Sequence, residues 1–343
     1  MAPRQGQDLI PVGNPSGRLS DSRIAPRVWP DATGGDEGKM GAVHAFPCGE
    51  GPPRPNTHNN ACRSNGFMWT YRLFGLSLAS QIALPELQEA GSAAPDVVLE
   101  AGQLGEVGAG FLLQTDCARF RIADGRSIRV EATCDAIIED VRLHILGSVM
   151  GVICLQRGLL PLHAASIVAE GRAHVFAGPS GVGKSTLAAA ADRLGLIVLA
   201  DDLSVISLNP EGLPTVWPGV GRVKLWPESL PGLGLKAAQL TRLTPSADKF
   251  ALPLARPNTD WPEALARITL LDPGRSPNTE VHRLTGAAAA EAVLGNIYRW
   301  SMAAELGLAE AVFHRAMTLV DRVEVCLMDR ETALASLGAL PLT

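Results

Sequence analysis

The chain has 343 residues, room for two domains of ordinary size or one large domain with appendages. Hydrophobic residues make up 46% and charged residues 19%, the balance of a globular protein with material for a core. A net charge of −5 argues against a nucleic-acid partner held by a broad basic face, and the longest apolar run, Ile145 to Leu155, is too short to span a bilayer. The 6 cysteines follow no metal-ligand spacing, so free thiols are expected. With no apolar leader segment either, the expectation is a soluble cytoplasmic protein without membrane contacts.

The first 66 residues hold 9 prolines and 10 glycines and show neither helical nor strand period. Such text cannot offset its ordering entropy. Residues 1–67 are therefore read as a disordered extension, with Met68 as an alternative start of translation. From Met68 the text becomes structured. Tyr71 to Leu78 reads as one strand closed by the turn Pro85-Glu86-Leu87, and Val97 to Glu100 as a second. Arg119 to Glu131 reads as a hairpin, because apolar and polar residues alternate on both sides of Asp124-Gly125. Residues 136–156 carry Ile137, Val141, Ile145 and Val149 at helical spacing. Together these predict a small β-rich N-terminal domain with its connecting helix over 68–150, followed by a second domain over 151–343.

The second domain has a different rhythm. Ala164–Val168 and His174–Ala177 are apolar strands around the turn Ala169-Glu170-Gly171. A glycine-rich loop, a helix over 185–194 and the strand Leu196–Ala200 follow, a β–loop–α–β unit of the kind that builds parallel sheets. Further strands are expected at Arg222–Leu225 and Arg267–Leu271, helices at 286–306 and 309–319, and a terminal strand at Val323–Met328.

The loop Gly178-Pro179-Ser180-Gly181-Val182-Gly183-Lys184-Ser185 matches GxxxxGK[ST] in full. Its glycines let successive N–H groups surround a phosphate, and the following helix points its positive end at the same anion. Lys184 supplies a cation for the β- and γ-phosphates, the Ser185 hydroxyl is a ligand for Mg²⁺, and Thr186 joins them on the first helical turn. The strand that follows ends in Asp201-Asp202, where open α/β sheets bind their ligands. One carboxylate would hold Mg²⁺ and the other accept a proton from an attacking hydroxyl. His163, just ahead of the strand before the loop, reads by itself as a hydrogen-bonded core residue.

These three pieces, in this order, resemble the HPr serine kinase family, which pairs a loop of the type G-x-S-G-x-G-K-S with an upstream histidine and a downstream Ala-Asp-Asp strand end. The resemblance implies a P-loop kinase domain with ATP and Mg²⁺ as cofactors. It makes Asp201 the favoured base for a seryl hydroxyl, Asp202 the metal ligand, and His163 a neighbour orienting an aspartate or the phosphate. The family's second glycine-rich block does not match here, where the text reads Trp217-Pro218-Gly219-Val220-Gly221-Arg222-Val223-Lys224. This departure, with Tyr71-Arg72-Leu73-Phe74 and Leu84-Pro85-Glu86-Leu87 upstream, resembles the shorter relatives that phosphorylate the C-terminal serine of lasso peptide precursors. The resemblance thus implies a peptide substrate. The other readings are a carrier-protein kinase/phosphorylase, a non-catalytic nucleotide-binding regulator, and a small-molecule kinase or relative of the phosphoenolpyruvate carboxykinases.

Three basic residues complete the candidate set. Arg222 and Lys224 alternate along one strand and so share a face, fit for a peptide carboxylate or the γ-phosphate or simply solvated. Lys249 lies in text that reads as a flexible loop able to close over a nucleotide.

Overall fold

The computed structural model describes residues 68–91, 94–105, 108–256, 261–274 and 280–338. The Pro/Gly-rich extension lies outside them. Six strands form the N-terminal sheet: β1 (Trp69–Leu73), β2 (Leu76–Ser80), β3 (Val97–Ala101), β4 (Phe111–Gln114), β5 (Ala118–Ala123) and β6 (Ser127–Ala132). Their order is β1-β2-β3-β6-β5-β4, with β3 parallel to both neighbours and the other pairs antiparallel. The single strand expected over 71–78 is instead a hairpin, because Phe74 (φ 54°) and Gly75 (φ 76°) reverse the chain between Leu73 and Leu76. Phe74 is held in this unusual conformation by burial, and a Cβ on Gly75 would lie 2.5 Å from the Trp217 ring. The Asp124-Gly125 hairpin forms as expected between β5 and β6.

The inward residues Val97, Leu99, Phe120, Ile122, Ile128 and Val130 pack on a helical run, where they meet Val141, Ile145, Val149 and Ile153. Each contributes roughly 1.5–3 kcal/mol by leaving water. That run is α1 (Ile138–His144), a π-helical turn (Ile145–Val149) and α2 (Met150–Gln156). It passes position 150 without a break and buries every residue from Ile145 to Leu155. No described helix is long and apolar enough to cross a membrane. Among the described cysteines, Cys117, Cys134, Cys154 and Cys326 are free thiols.

The second sheet contains β7 (Leu160–Leu162), β8 (Ala164–Ala169), β9 (Arg172–Ala177), β10 (Ile197–Ala200), β11 (Ser204–Leu208) and β12 (Pro214–Trp217). The strand β13 (Arg222–Leu225) leaves that sheet and pairs with β15 (Phe250–Pro253), which also holds the short β14 (Thr241–Arg242). The long β16 (Glu263–Leu271) returns to the large sheet between β9 and the later β18 (Glu324–Met328), parallel to both, and β17 (His282–Leu284) lies outside β18. The expected parallel unit needs one correction. The strand β10 does not pair with β9, because β8 lies antiparallel between them. The hairpin turn at Glu170-Gly171 puts β8 beside β9 before the chain reaches the glycine-rich loop.

The helices are α3 (Lys184–Arg193), α4 (Gly286–Leu294), α5 (Trp300–Glu305), α6 (Ala309–Val320) and α7 (Arg330–Gly338). The single helix expected over 286–306 is broken at 295–299, where Arg299 takes a φ of 54° and Ile297 bridges to Leu162. The expected terminal strand is followed by α7, which Asp329 caps by accepting from the Thr332 N–H at 2.8 Å.

Candidate functional site

Between β9 and α3 the chain makes the glycine-rich loop, with Gly178, Gly181 and Gly183 at φ 140°, 80° and 107°. At Gly178 a side chain is excluded twice, by this φ and by the Leu271 carbonyl 2.8 Å from where a Cβ would sit. Val182 turns into the core, while Ser180 and Gly181 stay exposed on the loop's outer side. Lys184 and Ser185 open α3, so the N–H groups of its first turn and its positive dipole end face the loop. The Lys184 ammonium donates to the carbonyls of Gly178 at 2.8 Å and Pro179 at 3.0 Å. Burial pushes its pKa down to about 8, against the pull of Asp201 and Asp202. Thr186 donates to Ser229 Oγ at 3.3 Å.

The two aspartates follow β10. Ideal strand geometry would send their side chains to opposite faces, but the strand ends at Ala200 and Asp202 takes a φ of 75°. That bend sends the two carboxyl groups to different partners. Asp201 accepts from Ser185 Oγ at 2.8 Å and from the Lys224 N–H at 2.8 Å. Asp202 accepts from the Lys224 ammonium at 2.6 Å, and His163 Nδ1 lies 3.4 Å from its other oxygen. Ser185 therefore pairs with Asp201, whereas Asp202, expected as the metal ligand, pairs with Lys224 and His163. The physical reason is the bend: it turns the second carboxylate away from α3 toward β13.

The environments of the pair differ accordingly. Burial raises Asp201 to about 6, partly offset by the Lys224 N–H, with the neighbouring charge of Asp202 adding to the rise. Burial acts on Asp202 as well, but Lys224 and His163 outweigh it and hold that carboxyl well below the usual range. Burial alone would lower Lys224, yet the contact with Asp202 raises it. His163 is pushed down to about 4, chiefly by burial, although Asp202 pulls the other way. The site thus holds a carboxyl bonded to the loop's Ser185 and, beside it, a carboxylate held anionic by Lys224.

Arg222 and Lys224 share one face of β13, as alternation requires, while Val223 and Leu225 point into the core. Lys249 immediately precedes β15, so the expected flexible loop is in part a strand. Its ammonium lies 4.3 Å from the centre of the Trp226 ring and is close enough to bias both Lys184 and Asp202. Two contributors escaped sequence reasoning. Asn296 accepts from the Gly178 N–H at 2.8 Å through its side chain, and its carbonyl accepts from the His163 N–H at 2.8 Å. Tyr298 packs its ring 6.2 Å from that of His163. The pair Gly295-Asn296 inside helix-like text was the available signal for a break at this point.

The paired oxygens of Ser185 and Asp201 are hard ligands at the mouth of a phosphate loop, a donor set that fits Mg²⁺. No family model and no curated protein matches the chain. Among solved structures, the Hpr(Ser) kinase/phosphatase from Coxiella burnetii is similar to it at 14% identity and a TM-score of 0.30. The alignment covers 52% of this chain and 86% of that one.

Proposed function

We propose that the protein is an ATP-dependent serine kinase whose acceptor is a peptide, of the kind that ends in serine in lasso peptide precursors. The observation that carries this reading is the pair of carboxylates set around one phosphate loop, Asp201 on Ser185 at 2.8 Å and Asp202 on Lys224 at 2.6 Å. A protein that only senses a nucleotide needs a metal ligand but has no use for a second carboxylate held anionic beside it. The loop N–H groups and Lys184 bind the β- and γ-phosphates of ATP. Mg²⁺, held by Ser185 and Asp201, would neutralise charge on those phosphates. Asp202 then orients the seryl hydroxyl in line with the γ-phosphorus and takes its proton as the new O–P bond forms and the bond from that phosphorus to the departing ADP breaks. A loose phosphoryl-transfer transition state demands positioning more than a strong base, so a low-pKa carboxylate is adequate. His163 and Lys224 fix that carboxylate from two sides.

The peptide reading draws on the motif pattern, in particular the absence of the second glycine-rich block. Lys184→Ala should cut phosphate transfer by about 10³-fold or more, because it removes the only cation that the loop motif supplies to the phosphates. Transfer from labelled ATP to serine-ended peptides measures it, and near wild-type transfer by the variant would refute the site.

A further inference from the structure

Beside Asp202 lies a narrow recess of about 10 Å³, lined by Phe74, Leu146 and Val220 together with Arg222 and Lys224. Lys224 is committed to Asp202 at 2.6 Å. Arg222 is not comparably matched. Its NH1 lies 3.5 Å from Glu86 Oε1, but that oxygen already accepts from Arg142 Nε at 2.9 Å. Arg142 has a second, longer contact to Glu139 at 3.5 Å. Arg222 Nε is buried without a hydrogen-bond partner among the described residues, and Glu86 Oε2 is in the same condition. A closed structural ion pair would leave neither atom unmet, because each carries a desolvation penalty. The cluster therefore holds a guanidinium steady without saturating it.

We propose that Arg222 reads a carboxylate on the phosphate acceptor, a few bonds from the hydroxyl that receives the phosphate; this rests on the kinase reading above. Arg222 and Lys224 lie two positions apart on the strand, about 7 Å, so a hydroxyl at the aspartate end leaves a carboxylate three bonds away on the side of the guanidinium. Phe74, Leu146 and Val220 lower the local polarity on one side of it, which strengthens a charge-assisted bond. Glu86 from the N-terminal turn and Arg142 from α1 act as positioning residues, so the N-terminal sheet and its helix would take part in choosing the acceptor.

The test compares tetrapeptide pools ending in serine as free acids with the same pools as C-terminal amides, using labelled ATP. Free L-serine serves as a third arm. Wild type should favour the acids over the amides by roughly 10-fold or more, the value of one charged hydrogen bond. In Arg222→Gln that ratio should fall to near one, and Arg222→Lys should keep part of it. The ratio is taken within one variant, so a general loss of activity cancels. Preference for free serine over every pool would keep the Arg222 role and assign the carboxylate to a small hydroxy acid. Equal use of acids and amides by wild type, or an unchanged ratio in Arg222→Gln, would overturn the inference and leave the kinase reading intact. Transfer to none of the three by ATP-bound protein would overturn both. Should Arg222→Gln fail to fold, the wild-type ratio and Arg222→Lys still decide.

Discussion

The phosphate loop and the recess beside it meet at Asp201 and Asp202, yet they are built in opposite ways. The loop draws its groups from consecutive residues, and its geometry follows from glycines, a strand before and a helix after. The recess takes Phe74 from one hairpin turn, Leu146 from a π-helical turn and Arg222 from a strand outside the main sheet. Its supporting ion pair joins Arg142 to Glu86 across 56 positions of chain. A local motif survives being read as text. A site assembled by tertiary packing has no such text, and it depends on every partner being in place.

That contrast can be broken at its weakest joint. Glu86→Ala removes the carboxylate that both Arg142 and Arg222 face, leaving two buried guanidinium groups without it. Losing one partner of a buried ionic cluster costs about 3–5 kcal/mol, so the variant should show a large fall in denaturant midpoint. ATP affinity should change little, because no phosphate-loop group touches Glu86. Equal damage to folding and to ATP binding would show that the two regions are not separable.

Burial lowers His163 to about 4, so the fold favours its neutral form. The sign follows directly: the contribution is complete above the unfolded value of 6.5 and is lost as pH falls toward 4. Between pH 7 and pH 4 wild type should therefore lose about 3 kcal/mol more unfolding free energy than His163→Gln. Parallel pH–stability curves for the two proteins would contradict the burial argument.

Much of the architecture was legible because its signals are local. The hairpin at Asp124-Gly125, the strand Arg222–Leu225 and the helix after the loop all stand where their residues put them. The misreadings share a cause. Tyr71 to Leu78 is uniformly strand-like, and only a Phe-Gly pair marks the reversal, which the packing of Trp217 on Gly75 makes possible. The antiparallel β8 between β9 and β10 is a matter of sheet order, which strand text does not encode. The same holds for the aspartates. Their adjacency was visible, but which of them faces Ser185 depends on the left-handed backbone at Asp202 and on the N–H of Lys224. Asn296 stayed hidden because it acts through a helix break pinned by the bridge between Ile297 and Leu162.

The division of labour between Asp201 and Asp202 is the central claim, and measuring ATP affinity with and without Mg²⁺ alongside single-turnover transfer tests it most directly. Asp201→Asn should weaken Mg²⁺-dependent ATP binding, because the charged carboxylate facing Ser185 becomes a neutral amide. Asp202→Asn should leave that binding within a few-fold of wild type and slow the transfer step by roughly 10²–10⁴-fold. The opposite pattern, with Asp202→Asn losing metal-dependent binding and Asp201→Asn losing only the transfer step, would contradict the account.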